Sequence, residues 1–495
     1  MSAAAVPTRG QLLIDGQLRQ ASDGRYFDVI NPADESVVGA VPEATVADVE
    51  NAVDAARRTF DETNWSSDIQ LRKRIVTQLQ SALRNELDTI KALQVAEAGS
   101  PRQILALIDD EIEYLHHYIG LADTFEWEVD YGIHETFGLR SHRVVRYEPY
   151  GVVAAIPPWN GPFLSSLRKV VPAIMSGNTV VLKPPPDTPL SGCLLAMLIN
   201  ERTDAPPGAI NVITSSDPVV GGDNLTGSPK VDMFHFTGSS AIGERVAARA
   251  AVGVRKVVLE LGGKSANVIL EDADLDRAVP MSVRMSMMNS GQGCMLATRA
   301  IVHESIYDEF VERVSAAVSE VPWGDPGKEE TIVGPIIRRD QLERIDGLVE
   351  RARKSGARIT TGGSKAHING KGFYYLPTVV ADAAEDSEVA QTEVFGPVLT
   401  IIKYRGGDDD AIRIANSTKY GLAAYVQTRS GDRAARIANR MRAGGVAIGE
   451  SAFYGPDTPH GGYGASGIGR EHGPEGFREF LQTKTVSVPV TDRGN

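Results

Sequence analysis

The chain has 495 residues, of which 42% are hydrophobic and 23% charged, as is typical of a globular protein of about two to four domains. Its formal net charge of −13 argues against non-specific binding to nucleic acid or to anionic membrane, because both need clustered positive charge. No long apolar run predicts a membrane-spanning helix, and residues 1–17 lack the pattern of a secretory signal. The two cysteines, Cys193 and Cys294, exclude a disulfide scaffold, and we expect a cytoplasmic protein without a metal site.

The first segment, up to about Thr124, opens with short strand-like pieces and then becomes helical. Apolar residues recur at helical spacing over residues 46–60, 69–87 and 101–121, and each of these stretches is predicted to be a helix. Residues 139–149 have an extended pattern of mixed polarity, which favours a surface ribbon over a core strand.

From Gly151 onward, short apolar runs alternate with helical stretches. Runs such as GVVAAIPP, NTVVLKP, MFHFTGS and RKVVLELGG end in Gly, Pro or polar residues, which is typical of strands buried on both faces. Helical stretches over residues 189–202 and 241–251 lie between them, so we predict a parallel α/β sheet. A second alternating region runs from about Gly262 to about Gly461.

Two glycine-containing turns are candidates for binding a dinucleotide. The segment 236–243, FTGSSAIG, follows a strand-like run and opens a helix, whose free N–H groups could bind a pyrophosphate; taken alone, the segment favours an ordinary capped turn. The string G-x-G-x-x-G occurs at residues 462–467, but no strand directly precedes it and no βαβ unit surrounds it. We therefore interpret that string as a glycine-rich loop.

Two residues are candidates for covalent chemistry. Cys294 lies in GQGC, where small neighbours leave room for a substrate and for backbone N–H groups beside an oxyanion. Glu260 ends the run KVVLELGG and could serve as a general base. Taken singly, Cys294 favours a buried inert thiol and Glu260 a solvated strand-end carboxylate, and Cys193 in an apolar helix is interpreted as inert.

Two further polar residues follow predicted strands. Asn160, in the stiff turn PWNGP, could donate an amide N–H to an oxyanion, or could simply be a turn residue. Lys183 ends NTVVLKP, where ligands bind in open α/β sheets, although a solvated lysine is the plainer alternative.

Eight motifs in one order cover nearly the whole chain and together resemble the aldehyde dehydrogenase superfamily. They are PWNGP, NTVVLKP, FTGSSAIG, LELGGKSANVIL, GQGCMLATR, EVFGPV, NSTKYGLAA and HGGYGASGIGRE. The resemblance implies a Rossmann-like cofactor domain (1–130 and 151–261), an α/β catalytic domain (262–461) and a small β oligomerisation ribbon (131–150 and 480–495). It also implies a homodimer or homotetramer that acts on a small-molecule aldehyde with NAD, with NADP possibly tolerated.

The resemblance also assigns roles to individual residues. Cys294 would attack the aldehyde, Asn160 would stabilise the oxyanion, the thiohemiacetal would pass hydride to the nicotinamide, and Glu260 would activate the water that hydrolyses the thioester. In the cofactor site, Ser239 would contact the pyrophosphate, Lys183 the adenine ribose and Glu393 the nicotinamide ribose, with Phe395 beside the nicotinamide. The remaining cofactor-binding residues would be Ile156, Pro157, Trp159, Gly221, Phe236, Thr237, Gly238, Leu261 and Gly262.

Several residues depart from the family pattern. Pro186 stands where members often have a glutamate that repels a 2′-phosphate, and His460 stands where many have Phe or Trp. Small residues at Gly161, Ser165 and Gly293 predict a wide substrate tunnel, and Arg168 could favour a carboxylated aldehyde as the second choice.

Two other functions remain open on the sequence. A CoA-acylating relative would pass the acyl group to CoA, but such enzymes typically lack the base at Glu260. A binding protein that keeps this fold without catalysis would be expected to lack the thiol or the base, and both are present.

Overall fold

The structure, a computed structural model, describes residues 7–490; residues 1–6 of the predicted cofactor domain and 491–495 of the predicted ribbon lie outside them. The strands are β1 (Leu12–Ile14), β2 (Gln17–Arg19), β3 (Tyr26–Ile30), β4 (Val37–Pro42), β5 (Glu128–Thr136), β6 (Leu139–Pro149), β7 (Val152–Ile156), β8 (Thr179–Leu182), β9 (Ile210–Val212), β10 (Met233–Thr237), β11 (Lys256–Glu260), β12 (Ala266–Ile269), β13 (Arg299–His303), β14 (Arg358–Thr361), β15 (Lys365–Ile368), β16 (Lys371–Tyr375), β17 (Thr378–Ala381), β18 (Val398–Tyr404), β19 (Ala423–Gln427), β20 (Gly445–Ile448), β21 (Gly467–Ile468) and β22 (Leu481–Pro489).

The helices pack on both sides of the two large sheets. They are α1 (Val46–Glu62), α2 (Ile69–Asn85), α3 (Leu87–Ala98), α4 (Ala106–Thr124), α5 (Pro162–Met175), α6 (Leu190–Arg202), α7 (Asn224–Gly227), α8 (Ser240–Val252), α9 (Leu275–Met287), α10 (Glu304–Ser319), α11 (Arg339–Lys354), α12 (Glu388–Gln391), α13 (Asp408–Ala415), α14 (Gly431–Ala438) and α15 (Gly473–Arg478). None of the helices within residues 7–490 is both long and apolar enough to span a bilayer.

The first sheet has the strand order β2-β1-β9-β8-β7-β10-β11-β21. Its five central strands, β9 to β11, pair in parallel, which confirms the prediction made from the apolar runs after Gly151. Along β7, Val153 and Ala155 enter one apolar cluster while Val152 and Ala154 enter another on the opposite face. Burial on both faces is why this strand is a continuous apolar run without a polar alternation.

The second sheet has the order β14-β17-β18-β13-β12-β19-β20, and every pair except β14 with β17 is parallel. It too is covered on both faces, with Val268 in one apolar cluster and Ile269 in another. The mixed α/β architecture with a Rossmann-like first sheet is therefore as the sequence predicted.

A three-stranded antiparallel ribbon, β22-β6-β5, forms a sheet separate from the two large ones. It includes residues 139–149, which confirms that this segment is extended and on the surface. Several large apolar side chains of the ribbon are exposed, and Phe137 at its hairpin turn is 98% exposed.

The amino-terminal helices differ from the prediction in two respects. The helix expected over 101–121 begins only at Ala106, after Pro101 and a short 3-10 turn at Arg102–Ile104. Helix α3, which buries Gln94 and Glu97 beside its apolar residues, was not predicted. Polar residues on the buried side weaken the apolar periodicity by which such a helix is recognised.

Candidate functional site

The carboxyl ends of neighbouring parallel strands meet at one edge of the first sheet. Asn160 follows β7, Lys183 follows β8, Thr237 ends β10 and Glu260 ends β11. In an open α/β sheet this edge is where ligands bind, because the loops after the strands leave a crevice there. A cavity of about 730 Å³ opens at this edge.

Most of the predicted site residues line this single cavity. They are Ile156, Pro157, Trp159, Asn160, Lys183, Phe236, Thr237, Gly238, Ser239, Glu260, Gly262, Cys294, Glu393 and Phe395. Residues more than 230 positions apart in the chain are thus brought together, since the second sheet contributes Cys294, Glu393 and Phe395 opposite the first.

Gly221 and Leu261 do not line the cavity but lie directly behind it. A Cβ at Gly221 would stand 2.9 Å from Cε of Lys183, so the absence of a side chain gives the lysine its space. Leu261 is buried, and its Cδ2 would lie 2.4 Å from a Cβ at Gly243 of α8. Both residues therefore shape the site through their neighbours.

The loop that carries Cys294 has an unusual backbone. After α9 the chain passes through Asn289, Ser290 and Gly291 with φ values of 50°, 58° and 69°. A Cβ at Gly291 would lie only 2.0 Å from the carbonyl oxygen of Gly396, so only glycine fits there. This turn projects the partly exposed thiol of Cys294 into the cavity, whereas Cys193 is buried in α6.

Hydrogen bonds tie Asn160 to the cysteine loop. The Asn160 Nδ2 donates to the carbonyl oxygen of Gln292 at 3.0 Å, and Asn289 Nδ2 donates to the carbonyl oxygen of Asn160 at 3.0 Å. Gln292 is itself anchored, because its Oε1 accepts from the N–H of Ile337 at 3.0 Å. One N–H of the Asn160 amide is thus used for orientation, and the other is available to a ligand.

The thiol, one carboxylate and one imidazole form a tight cluster. Ligand atoms of Glu260, Cys294 and His460 all lie within 4.8 Å of one another. His460 Nε2 is 3.5 Å from Glu260 Oε1, and that oxygen has no hydrogen-bond partner among the described residues. Burial and the neighbouring Glu260 carboxylate hold the pKa of the Cys294 thiol well above its usual range. In this state the thiol is protonated and needs a base beside it to become a nucleophile.

Glu393 and Phe395 are held at the far wall of the cavity. Glu393 Oε1 accepts a hydrogen bond from the Gly263 N–H at 2.9 Å, and burial raises the pKa of this carboxyl to about 7. Arg344, which the sequence analysis missed, donates to the carbonyl oxygens of Glu393 and Val394 at 2.5 and 2.8 Å. Phe395 has φ of 55° and packs edge-on against Trp159, with ring centroids 5.2 Å apart.

The first turn of α8 opens into the cavity at Gly238 and Ser239. Within residues 7–490, no side chain caps this end of the helix. Its first backbone N–H groups, together with the positive end of the helix dipole, can therefore receive an anionic group. The segment FTGSSAIG thus has the local structure that the sequence predicted for it.

Lys183 lies deep in the same cavity. Burial lowers the pKa of its ammonium to about 8, and the carboxylate of Asp187 acts in the opposite direction. Asp187 is itself paired with Arg338, whose NH1 lies 2.8 Å from Asp187 Oδ2. Pro186, between Lys183 and this ion pair, lines the cavity without adding charge.

A buried ion pair, which was not predicted from the sequence, lies behind the site. Lys169 Nζ on α5 donates to Glu471 Oε1 at 2.7 Å and to Thr237 Oγ1 at 2.7 Å. Burial alone would raise the pKa of Glu471, but the Lys169 ammonium and the neighbouring His235 hold it well below the usual range. Backbone hydrogen bonds of 2.7 Å join Glu471 to His460, so this ion pair fixes the segment that carries His460.

The string G-x-G-x-x-G is not a turn between a strand and a helix of a βαβ unit. Residues Gly464–Ser466 form one 3-10 turn, and β21 then pairs antiparallel with β11. Ser466 Oγ donates to the carbonyl oxygen of Gly262 at 2.7 Å, so the loop supports the strand end that carries Glu260. The interpretation as a glycine-rich loop therefore agrees with the structure.

Comparisons with known proteins agree with this architecture over nearly the full chain. A sequence profile described as the aldehyde dehydrogenase family matches residues 19–486. The chain belongs to the aldehyde dehydrogenase family. An "Aldehyde dehydrogenase" from Alternaria alternata is 38% identical over 484 residues, which is 97% of this chain and 95% of that protein.

Two further aldehyde dehydrogenases extend the comparison. A "3-succinoylsemialdehyde-pyridine dehydrogenase" of a Pseudomonas species is 39% identical over 477 residues, or 96% of this chain and 98% of that one. The crystal structure of a Mycobacterium tuberculosis aldehyde dehydrogenase complexed with NAD+ has a TM-score of 0.92 and 39% identity, and the match covers 97% of this chain and 99% of that chain. The resemblance seen in the eight motifs is thus confirmed.

Proposed function

We propose that this member of the family oxidises an aldehyde to a carboxylic acid with NAD, through a covalent intermediate on Cys294. The observation that carries the proposal is the position of Cys294 and Glu260 side by side in a cavity that also receives the uncapped start of α8. A thiol and a base serve acyl chemistry, and a helix start suits a pyrophosphate.

In the first half of the reaction, the Cys294 sulfur attacks the aldehyde carbon after Glu260 takes the thiol proton. Asn160 donates its remaining amide N–H to the developing oxyanion, in an orientation that its hydrogen bond to Gln292 maintains. NAD, when bound, supplies the acceptor for the hydride of the aldehyde carbon. Cys294 is then left with the acyl group as a thioester.

In the second half, Glu260 first releases the thiol proton to solvent and then, again as a carboxylate, accepts a proton from a water molecule that attacks the thioester; this second proton passes to the departing Cys294 sulfur. Its Oε1 has no hydrogen-bond partner among the described residues, so it is free to orient that water. The products are the carboxylic acid and the regenerated Cys294 thiol. Glu260 therefore serves both halves as a general base.

The residues at the far end of the cavity fit a dinucleotide. The uncapped turn at Gly238 and Ser239 would hold the pyrophosphate, and Lys183 the adenine ribose. Glu393 would bind the nicotinamide ribose, with Phe395 and Trp159 forming the wall beside it. The NAD+ complex of the Mycobacterium tuberculosis relative supports the choice of cofactor.

Measuring NADH formation tests the proposal against its two alternatives. The purified protein is mixed with NAD and a panel of aldehydes, with and without CoA. NADH formed without CoA supports hydrolysis, and NADH formed only with CoA would indicate an acylating enzyme instead. No NADH with any aldehyde would leave only a binding protein that has this fold.

The cofactor preference is expected to be NAD first, with measurable use of NADP. Pro186 places no carboxylate beside a 2′-phosphate, and the charge of Asp187 is met by Arg338. The change Pro186→Glu should lower kcat/KM for NADP by about tenfold or more through like-charge repulsion, and should leave NAD use nearly unchanged. Steady-state kinetics with both cofactors measures this.

The uncharged variant Pro186→Gln is the matched control for that change. Pro186→Gln should keep most of the NADP activity, because glutamine has about the size of glutamate but carries no charge. A wild-type kcat/KM for NADP equal to that for NAD would contradict the preference. A complete lack of NADP turnover would contradict the tolerance.

A partly buried apolar cluster lies next to Cys294 in the chain. Met288 and Met295, on either side of Cys294, pack with Phe453 against a cluster that contains Leu296 and Tyr425. Of the small residues predicted to widen the tunnel, Gly293 does not do so by itself, because Leu296 would lie 2.8 Å from its Cβ and already fills that space. Arg168 donates to the Glu111 carboxylate at 2.6 Å. Because its charge already has this partner, Arg168 has less reason to bind the carboxylate of a substrate.

Medium-chain and aromatic aldehydes are therefore expected to be better substrates than acetaldehyde. Each added methylene that is buried contributes up to about 0.8 kcal/mol, or about fourfold in kcat/KM. A series of linear aldehydes of increasing length, with benzaldehyde and succinic semialdehyde beside it, measures this. Acetaldehyde with the highest kcat/KM would overturn the idea, and a preference for the semialdehyde would restore the role of Arg168.

The ribbon supports a proposal about assembly and domains. We propose that residues 1–130 and 151–261 bind the cofactor, that 262–461 supply Cys294, and that the ribbon (131–150 and 480–495) joins subunits into a homodimer or homotetramer. Exposed apolar side chains on the ribbon, such as Phe137 and Leu139, would be covered by a partner. Sedimentation velocity of the purified protein should show no monomer at micromolar concentration; a monomer would contradict the proposal.

We also propose a cytoplasmic location, because the reaction needs Cys294 as a free thiol and the cytoplasm keeps thiols reduced. Both cysteines are free in the structure. Cell fractionation followed by immunodetection would test this location.

A further inference from the structure

His460 lies beside Cys294 and Glu260, and all three side chains are of types that bind metal ions. It is 7% exposed, and Tyr454 packs edge-on against its ring with centroids 4.9 Å apart. Its backbone is fixed by hydrogen bonds to Glu471. The imidazole is therefore held in one place, with Nε2 directed to within 3.5 Å of Glu260 Oε1.

The three side chains offer the donor set of a zinc site. Zn²⁺ accepts thiolate, imidazole and carboxylate ligands, and catalytic zinc sites use three protein ligands plus an open fourth position. Ligand atoms around a tetrahedral Zn²⁺ lie roughly 3.3–3.8 Å apart. The His460–Glu260 separation already falls in this range, and all three donors lie within 4.8 Å of one another.

Two further observations point to a cation at this position. Glu260 is 3% exposed, and its Oε1 has no hydrogen-bond partner within residues 7–490. A buried carboxylate oxygen without a donor is stabilised when a cation takes that place. The cavity that reaches Cys294 and Glu260 provides a route of entry.

We propose that Cys294, Glu260 and His460 form a reversible inhibitory site for Zn²⁺. One thiolate, one carboxylate and one neutral imidazole balance the two charges of the ion, so the bound complex leaves no net charge in the buried cluster. A water molecule completes the tetrahedron from the cavity. The soft thiolate selects Zn²⁺ over Mg²⁺ and Ca²⁺, which prefer oxygen ligands.

Zinc binding would remove both groups on which the proposed reaction depends. The sulfur that must attack the aldehyde is coordinated, and so is the carboxylate that must take up protons. The inhibition of turnover thus rests on the proposed function, whereas the metal site rests on the three donors alone. Binding and inhibition are therefore measured separately.

Cobalt absorption and zinc titration test the binding directly. Co²⁺ added to the metal-free full-length protein should give the near-ultraviolet charge-transfer band of a cobalt–thiolate bond, and Zn²⁺ should abolish the band at about one ion per subunit. His460→Phe should weaken Co²⁺ and Zn²⁺ binding by about tenfold or more, since it removes one of three ligands. His460 already packs edge-on against the Tyr454 ring, so an aromatic side chain is expected to be accommodated there and this variant is expected to fold.

The matched control is Cys193→Ala, which removes the other thiol. It should keep the cobalt–thiolate band and the zinc affinity of the wild type, because Cys193 is buried in α6 away from the cavity. Zn²⁺ should inhibit wild-type turnover, EDTA should restore it, and Mg²⁺ at the same concentration should have no effect.

Two results would overturn the inference: no cobalt–thiolate band in the wild type, or equal metal affinity in the wild type and His460→Phe. A band that disappears in Cys193→Ala would also overturn it, because the metal would then sit elsewhere. A protein that gives the band but oxidises no aldehyde would retain the metal site and contradict only the proposed function.

Discussion

Replacing Cys294 by alanine is expected to abolish aldehyde oxidation, with neither NADH nor a covalent adduct formed. The reason is that Cys294 is the thiol that lines the cavity beside Glu260 and Asn160, whereas the second thiol, Cys193, is buried in α6. Stopped-flow absorbance at the NADH band and intact-protein mass spectrometry after mixing with aldehyde and NAD measure the two outcomes.

The matched control for this substitution is again Cys193→Ala, which should keep the activity of the wild type. NAD binding, measured by quenching of tryptophan fluorescence, should persist in Cys294→Ala and would show that the variant is folded. Substantial NADH formation by Cys294→Ala would refute covalent catalysis at this residue and would favour direct oxidation of an aldehyde hydrate.

The substitution Glu260→Gln is expected to separate the two halves of the reaction. Aldehyde and NAD should still react once, in a slower burst of NADH that reaches about one equivalent per active site, because Cys294 and Asn160 remain in place and only the base for the thiol proton is lost. The steady rate that follows should fall by about 10²–10⁴-fold, the usual contribution of a general base. Mass spectrometry of the arrested enzyme should find the acyl group on Cys294.

The balance of burst and steady rate decides the role of Glu260. The amide of glutamine keeps the size of the side chain but cannot accept a proton, so the burst slows while its amplitude stays near one equivalent, and the steady rate falls further. A wild-type steady rate in Glu260→Gln would mean that another group activates the water. His460 would then be the next candidate, because Glu471 is held in its ion pair with Lys169.

The sequence by itself determined the fold class and the positions of the main elements of the site. Strands such as β7 and β8 were predictable because burial on both faces requires continuous apolar residues, and this is a local property of the chain. The Gly-Ser turn before α8 was predictable for a similar reason, since a helix start needs only neighbouring residues. The eight motifs then identified the family, although the roles of the individual residues stay predictions until the variants are measured.

Only the tertiary structure decided which side chains meet. His460 is 200 positions from Glu260 in the sequence, yet the two lie 3.5 Å apart because β21, just after His460, pairs with the end of β11. Lys169 and Glu471, 302 positions apart in the chain, form a buried ion pair, and neither residue has a local pattern that indicates its partner. Contacts of this kind depend on strand order and on the packing of one sheet against the other, and no periodicity in the sequence encodes them.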